Sequence, residues 1–109
     1  MQADQWYAVR HEGRTRIIAL RGELDLAQAD DLRALMTELT QQDGVDLLHI
    51  DLSEVTFLDS TIIGALITGY HAAQATDVEY TVDGAGGQVE KILTMAGVLE
   101  FLRGDLPPD

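Results

Sequence analysis

Segments of two different periods alternate along this chain, and that alternation constrains its fold more than any other feature. Leu32, Leu35, Met36 and Leu39 recur at i, i+3, i+4 and i+7 within residues 27–40, the spacing of one face of a helix. Val89, Ile92, Leu93 and Ala96 repeat that spacing from about Gln88, with Gly97 as the stop. Residues 59–74 read as a helix between these two. The other apolar runs are too short for helices. Trp6 to Val9, Thr15 to Leu20, Asp46 to Leu52 and Val78 to Val82 read as strands, the first two joined as a hairpin across His11-Glu12-Gly13-Arg14. Val98 to Leu102 forms a last short element, before a frayed Leu106-Pro107-Pro108-Asp109.

The order is therefore β-β-α-β-α-β-α. Strands alternating with helices pair in parallel through right-handed crossovers. The expected class is α/β: a mixed, mostly parallel sheet of four to five strands, opening with a β-hairpin and packed with about four helices. With 109 residues and no repeat, linker or low-complexity stretch, the chain reads as a single domain over 1–109, its ordered core at about 6–103 and a tail at 104–109. Asp25, followed three residues on by Gln28, is a capping-box start for the first helix, and Asp43-Gly44 marks its stop. On a helical wheel, Ile63, Leu66, Ile67 and Tyr70 form the centre of the second helix's apolar stripe. Ser60, Gly64 and His71 fall opposite, flanked by Thr61 and Thr68.

Charge narrows the partners. Nineteen acids against seven bases give a net charge of −12. The bases are unevenly placed: Arg10, Arg14, Arg16 and Arg21 lie in the first 21 residues, and only Arg33, Lys91 and Arg103 follow. A surface this acidic repels phosphate backbones and anionic lipid, so neither a nucleic-acid partner nor adsorption to a membrane surface is expected. A basic protein partner fits, and solubility alone would also account for the charge. No apolar run approaches the roughly 20 residues needed to span a bilayer, and the first five residues show no signal-peptide pattern. The absence of cysteine excludes disulfides and thiolate chemistry and suits a reducing, cytoplasmic setting.

Catalysis finds no foothold. His11, His49 and His71 fall in a hairpin turn, a strand and a helix, with no triad or metal spacing among them. Ser60 lacks the G-x-S-x-G elbow of a hydrolase. Asp83-Gly84-Ala85-Gly86-Gly87 precedes a helix but has no lysine and misses the dinucleotide spacing, so it reads as a strand-to-helix turn. Neither enzymatic activity, a metal nor a cofactor is expected. Asp59-Ser60-Thr61, at the start of the second helix, admits two readings. It is a helix cap, with side-chain oxygens accepting free N–H groups. The other reading is that Ser60 is a phosphoacceptor, because a helix N-terminus tolerates negative charge and a phosphate adds about −1.5 to −2.

Four segments, in order across about residues 6–103, make the chain resemble a STAS domain, specifically a single-domain anti-sigma factor antagonist. Ile17-Ile18-Ala19-Leu20-Arg21-Gly22-Glu23-Leu24-Asp25 is similar to the family's strand ending in G-E-L-D. Leu48 to Thr61 resembles its central strand followed by the D-S-[ST] signature. Gly64-Ala65-Leu66 continues the helix in the family manner, and Val89 to Phe101 resembles the closing V-x-x-x-L-x-x-x-G-x-x-x-x-F pattern.

The resemblance implies a partner switch. The unphosphorylated form would bind an anti-sigma factor, a histidine-kinase-like ATPase with serine kinase activity, and so free a sigma factor. Phosphorylation at the position matching Ser60 would end binding, with Thr61 a secondary candidate, and a serine phosphatase would reverse it. The partner-binding residues are then Asp25, Asp59, Ser60, Thr61 and Ile62 around the signature turn, together with Gly64, Thr68 and His71, which the wheel places in line with Ser60 on a narrow strip without carboxylates. Asp25 serves as helix cap, partner contact or both. Ile62 departs from the glycine usual after the triplet, and either extends the core or reshapes the docking surface. The other role the resemblance admits is a STAS subunit of a membrane lipid-transport complex, docked on its ATPase without phosphorylation.

Overall fold

In the computed structural model, which describes residues 5–98 and 102, the first three strands run further than their hydrophobic residues alone indicate. Strand β1 (Tyr7–Glu12) pairs antiparallel with β2 (Thr15–Leu24), which pairs in parallel with β3 (Leu47–Leu58), itself parallel to β4 (Glu79–Asp83). The sheet order is β1-β2-β3-β4. Helices α1 (Leu26–Thr40), α2 (Ser60–Ala75) and α3 (Gly87–Met95) follow β2, β3 and β4 in turn. The α/β class, the opening hairpin and the parallel crossovers are as expected, with four strands. Three helices are described, against about four expected; the last short element expected over 98–102 falls largely on residues 99–101, outside the described residues, as do the tail at 104–109 and Arg103.

The strands run past the ends expected at Leu20 and Leu52. Polar residues interrupt the apolar pattern there, but backbone pairing continues: Arg21 opposite Glu54, Gly22 opposite Val55, Glu23 opposite Phe57 and Leu24 opposite Leu58. Two register shifts accompany this extension, after Ala19 and after Gly22. Gly22 takes a positive φ of 84°, which a residue with a Cβ adopts only at a cost. α1 ends at Thr40 with Gln41 as C-cap, before the expected Asp43-Gly44 stop.

Alternation along the strands sorts the two sheet faces. Ile18, Leu20, Leu48, Ile50, Leu52 and Val82 join a single buried core with Leu32, Met36 and Leu39 of α1, Ile62, Ala65, Leu66 and Ala73 of α2, and Val89 and Leu93 of α3. His49, Asp51 and Asp83 lie on the other face, where His49 Nε2 meets Asp83 Oδ1 at 2.7 Å across β3 and β4.

The closest approach is at Gly69. A Cβ there would come within 2.5 Å of Met36 Sδ and 2.8 Å of Tyr80 Oη. The Tyr80 hydroxyl donates to the Leu66 carbonyl at 2.7 Å, and burial pushes its pKa up, so it stays a neutral donor. Glycine thus lets α2 sit down between α1 and β4. Gly69→Ala should overpack this junction and lower stability by about 1–3 kcal/mol, read from urea unfolding. Stability equal to wild type would show that the junction relaxes without cost.

Candidate functional site

The ends of β2 and β3 build the site. Leu24 and Leu58 are both fully buried and pair directly, so the next residues, Asp25 and Asp59, leave the sheet side by side. Each becomes an N-cap. Asp25 Oδ1 accepts from Ala27 N at 2.9 Å, and its own N–H donates to Gln28 Oε1 at 2.8 Å, completing the expected capping box. Asp59 Oδ1 accepts from Thr61 N at 3.0 Å, from Ile62 N at 3.2 Å and from the Thr61 hydroxyl at 2.5 Å. The Thr61 hydroxyl is the largest influence on the Asp59 carboxyl and holds its pKa below the usual carboxylate range; partial burial pushes the other way, and the backbone N–H groups of Ile62, Thr61 and Asp59 itself add to the lowering.

Ser60 lies between these bonded neighbours and differs from both. It is exposed, and among the described residues its side chain has no hydrogen-bond partner. Thr61 is half-buried with its hydroxyl committed to Asp59. Two adjacent hydroxyls of similar chemistry are thus distinguished by their bonds: one is part of the cap and the other is available.

The remaining expected residues divide. Gly64 and Thr68 are half-buried on the flank toward α1, where the Thr68 hydroxyl donates back to the Gly64 carbonyl at 3.1 Å. Arg33 Nη2 would stand 3.7 Å from a Cβ at Gly64. His71 is exposed, its ring edge-on to that of Tyr70. Ile62 is fully buried and extends the core, so it is no part of the exposed surface.

The apolar stripe of α2 is also turned from its expected centre. Ile62, Ala65, Leu66, Gly69 and Ala73 face the core, while Ile63, Ile67 and Tyr70 are only half-buried, a rotation of roughly 90° at 100° per residue. Close packing at the α1–α2–β4 junction selects the small residues for the inward face, and the large ones move to the flank. Ala65, Gly69 and Ala73 at four-residue spacing were the signal for this. Sequence reading also missed Leu26 and Phe57, which are 70% and 37% exposed and bring apolar surface to the same end of the sheet as Ser60.

His11, His49 and His71 stand on three different elements, and among the described residues no group of His, Asp and Glu is arranged to hold a metal. The glycine-rich segment after β4 is a strand-to-helix turn: a Cβ at Gly84 would come within 2.7 Å of Asp51 Oδ1 and 3.0 Å of Ser53 N, so the chain crosses β3 closely there. No helix among the described residues is long and apolar enough to cross a membrane.

These features describe a small α/β domain that presents an available serine where two capped helices leave one sheet end. The sequence matches the STAS domain family model over residues 7–107, and the chain belongs to that family. It is 24% identical over 86 residues, 79% of each chain, to an anti-sigma-B factor antagonist of Staphylococcus aureus. The structure is similar to that of the anti-sigma factor antagonist SpoIIAA in its unphosphorylated form, with a TM-score of 0.77, 20% identity and coverage of 89% of this chain and 84% of that one. Against the Bacillus cell fate determinant SpoIIAA in the phosphorylated form, the TM-score is 0.70 at 19% identity, covering 89% and 87%.

The cap carries a pH signature. Because the folded-state pKa of Asp59 is depressed, its contribution to stability is complete above the unfolded value of about 3.9 and is lost as pH falls through the folded value. Asp59→Asn keeps an oxygen to cap the helix but cannot titrate, so its urea midpoint should fall less steeply than that of wild type below about pH 4. Asp59→Ala should lose about 0.5–2 kcal/mol at neutral pH. Identical acid profiles for wild type and Asp59→Asn would refute the assignment.

Proposed function

We propose that this chain is an anti-sigma factor antagonist working by a partner switch. Its unphosphorylated form binds an anti-sigma factor and thereby releases a sigma factor; phosphorylation of Ser60 ends that binding. The observation that carries this reading is the state of Ser60, whose exposed side chain has no hydrogen-bond partner among the described residues, at the first turn of α2 in a STAS domain and between two residues committed to the cap. The names of the similar proteins support it, as does the existence of a phosphorylated form of SpoIIAA. The partner is an anti-sigma factor with a histidine-kinase-like serine kinase domain, a serine phosphatase resets the switch, and the whole cycle runs in the cytoplasm. The chain itself acts by binding, not by catalysis.

The exposed side of α2 supplies the docking surface, from Ser60 through Gly64 and Ile67 to His71, with Leu26 and Asp25 at the start of α1 and Phe57 at the end of β3. A phosphate on Ser60 puts its charge at the edge of this apolar surface, where desolvating it opposes docking.

Treatment with the kinase and ATP should therefore modify Ser60 and leave Thr61 essentially untouched, as read by phosphopeptide mapping. Modification of Thr61 alone would overturn the assignment. Ser60→Asp should weaken binding of the anti-sigma factor about tenfold or more, roughly 1.4 kcal/mol, while thermal unfolding stays within about 1 kcal/mol of wild type. Unchanged affinity would show that Ser60 does not lie in the interface.

A further inference from the structure

A phosphate on Ser60 is stabilised by nearby positive charge, and the end of α2 offers little of it. Three of the first-turn N–H groups are already taken, Thr61 N and Ile62 N by the Asp59 carboxylate and Ile63 N by the Asp59 carbonyl at 3.1 Å, which leaves only the N–H of Ser60 itself. The Asp59 carboxylate, one residue away, repels a second anion. Positive charge has to come from the side, and Arg33 is the only lysine or arginine between Gly22 and Glu90.

Arg33 lies where such a charge is needed. Both α1 and α2 start from the same end of the sheet, and helix side chains lean toward their N-terminus, so Arg33 reaches back toward the first turns of α2. Its Nη2 would be 3.7 Å from a Cβ at Gly64. Ser60 is one turn before Gly64 on the same face, with Cβ positions about 5–6 Å apart. A phosphate on the Ser60 oxygen and the Arg33 guanidinium can therefore meet through side-chain rotation alone. Gly64 contributes by leaving that path open. Among the described residues, Arg33 is held only by Asp30, through Nη1 at 3.0 Å, and the Asp30 side chain is 96% exposed against 37% for Arg33. An ion pair with so solvated a carboxylate is weak and readily exchanged for a dianion.

We infer that Arg33 is a positioning residue for the modified state: on phosphorylation it leaves Asp30, pairs with the Ser60 phosphate across the α1–α2 groove, and holds that charge over the docking surface. The inference rests on Ser60 as the modified residue, the reading proposed above. Its test uses the full chain with phosphoserine installed at position 60 during translation, so neither kinase nor anti-sigma factor is involved. The second pKa of the phosphate, ordinarily near 6, is followed by phosphorus NMR. Arg33→Gln should raise it by about half a unit relative to the otherwise unaltered phosphoprotein, and Arg33→Lys should fall between the two. Asp30→Asn, which frees the arginine from its competitor and leaves Arg33 in place, should lower it. Lys91→Gln on α3 removes an equal charge elsewhere and measures the long-range effect.

An Arg33→Gln shift no larger than that of Lys91→Gln, or an Asp30→Asn variant with an unchanged value, would overturn the pairing. Should Arg33→Gln lose its fold, the Asp30→Asn measurement still decides. Failure of the kinase to modify Ser60 would overturn the partner switch while leaving these pKa values as they are.

Discussion

The parallel pairing of β2 with β3 is the constraint on which the rest of this structure depends. It persists to Leu24 opposite Leu58, past two irregularities and a positive-φ glycine, so two strands end in register at one edge. Neighbouring strands are about 4.8 Å apart, which brings Asp25 and Asp59 out of the sheet together. Two carboxylates that close would repel, yet each is occupied by the N–H groups of the helix it starts, where the helix dipole favours negative charge. A slip of one residue in this register would turn Leu24 or Leu58 out of the core and move one cap away from the other. Hydrophobic burial of the leucines thus fixes the geometry of the polar residues that follow them.

A second constraint acts two to three turns further along α2. Gly69 admits Met36 and Tyr80 to near contact with the helix backbone, and Ala65 and Ala73 continue that close-fitting side. Packing density at this junction sets the rotation of α2 about its axis, since a helix settles where its smallest residues meet its neighbours. The same rotation turns Ser60 and His71 outward and leaves Ile63 and Ile67 half-exposed beside them. The apolar character of the surface around Ser60 is therefore a by-product of how the buried side is fitted.

Most of the architecture was legible in the sequence because hydrophobic period and crossover handedness leave few alternatives for a chain of this order. The helix starts were legible too, since Asp25 with Gln28 and Asp59 are local signals that need no tertiary information. The strand ends were not. Arg21, Gly22 and Glu23, like Ser53 and Glu54, break the apolar pattern, and only their partners across the sheet keep them extended. The orientation of α2 was misread because a wheel weighs hydrophobicity, and Ile63, Ile67 and Tyr70 outweigh alanine and glycine on that scale. Close packing weighs size, and here size decides. The placement of Arg33 beside Gly64 joins residues 31 positions apart and had no sequence signature.

Asp59-Ser60-Thr61 supported two readings in the sequence, a helix cap and a phosphoacceptor, that looked like alternatives. The geometry lets one arrangement accommodate both. The cap draws on Asp59 and on the backbone and hydroxyl of Thr61, and in doing so it leaves Ser60 out. A group could be added to Ser60 without removing any hydrogen bond that starts the helix, whereas the same group on Thr61 would displace a donor from Asp59. The division of roles between adjacent residues suits a switch that changes surface charge while the fold persists. It also has a cost, because the N–H groups of Thr61 and Ile62 that the cap occupies are not free to stabilise an added anion. Positive charge to balance it is best supplied from a neighbouring element, and Arg33 of α1 lies beside Gly64, one turn along from Ser60.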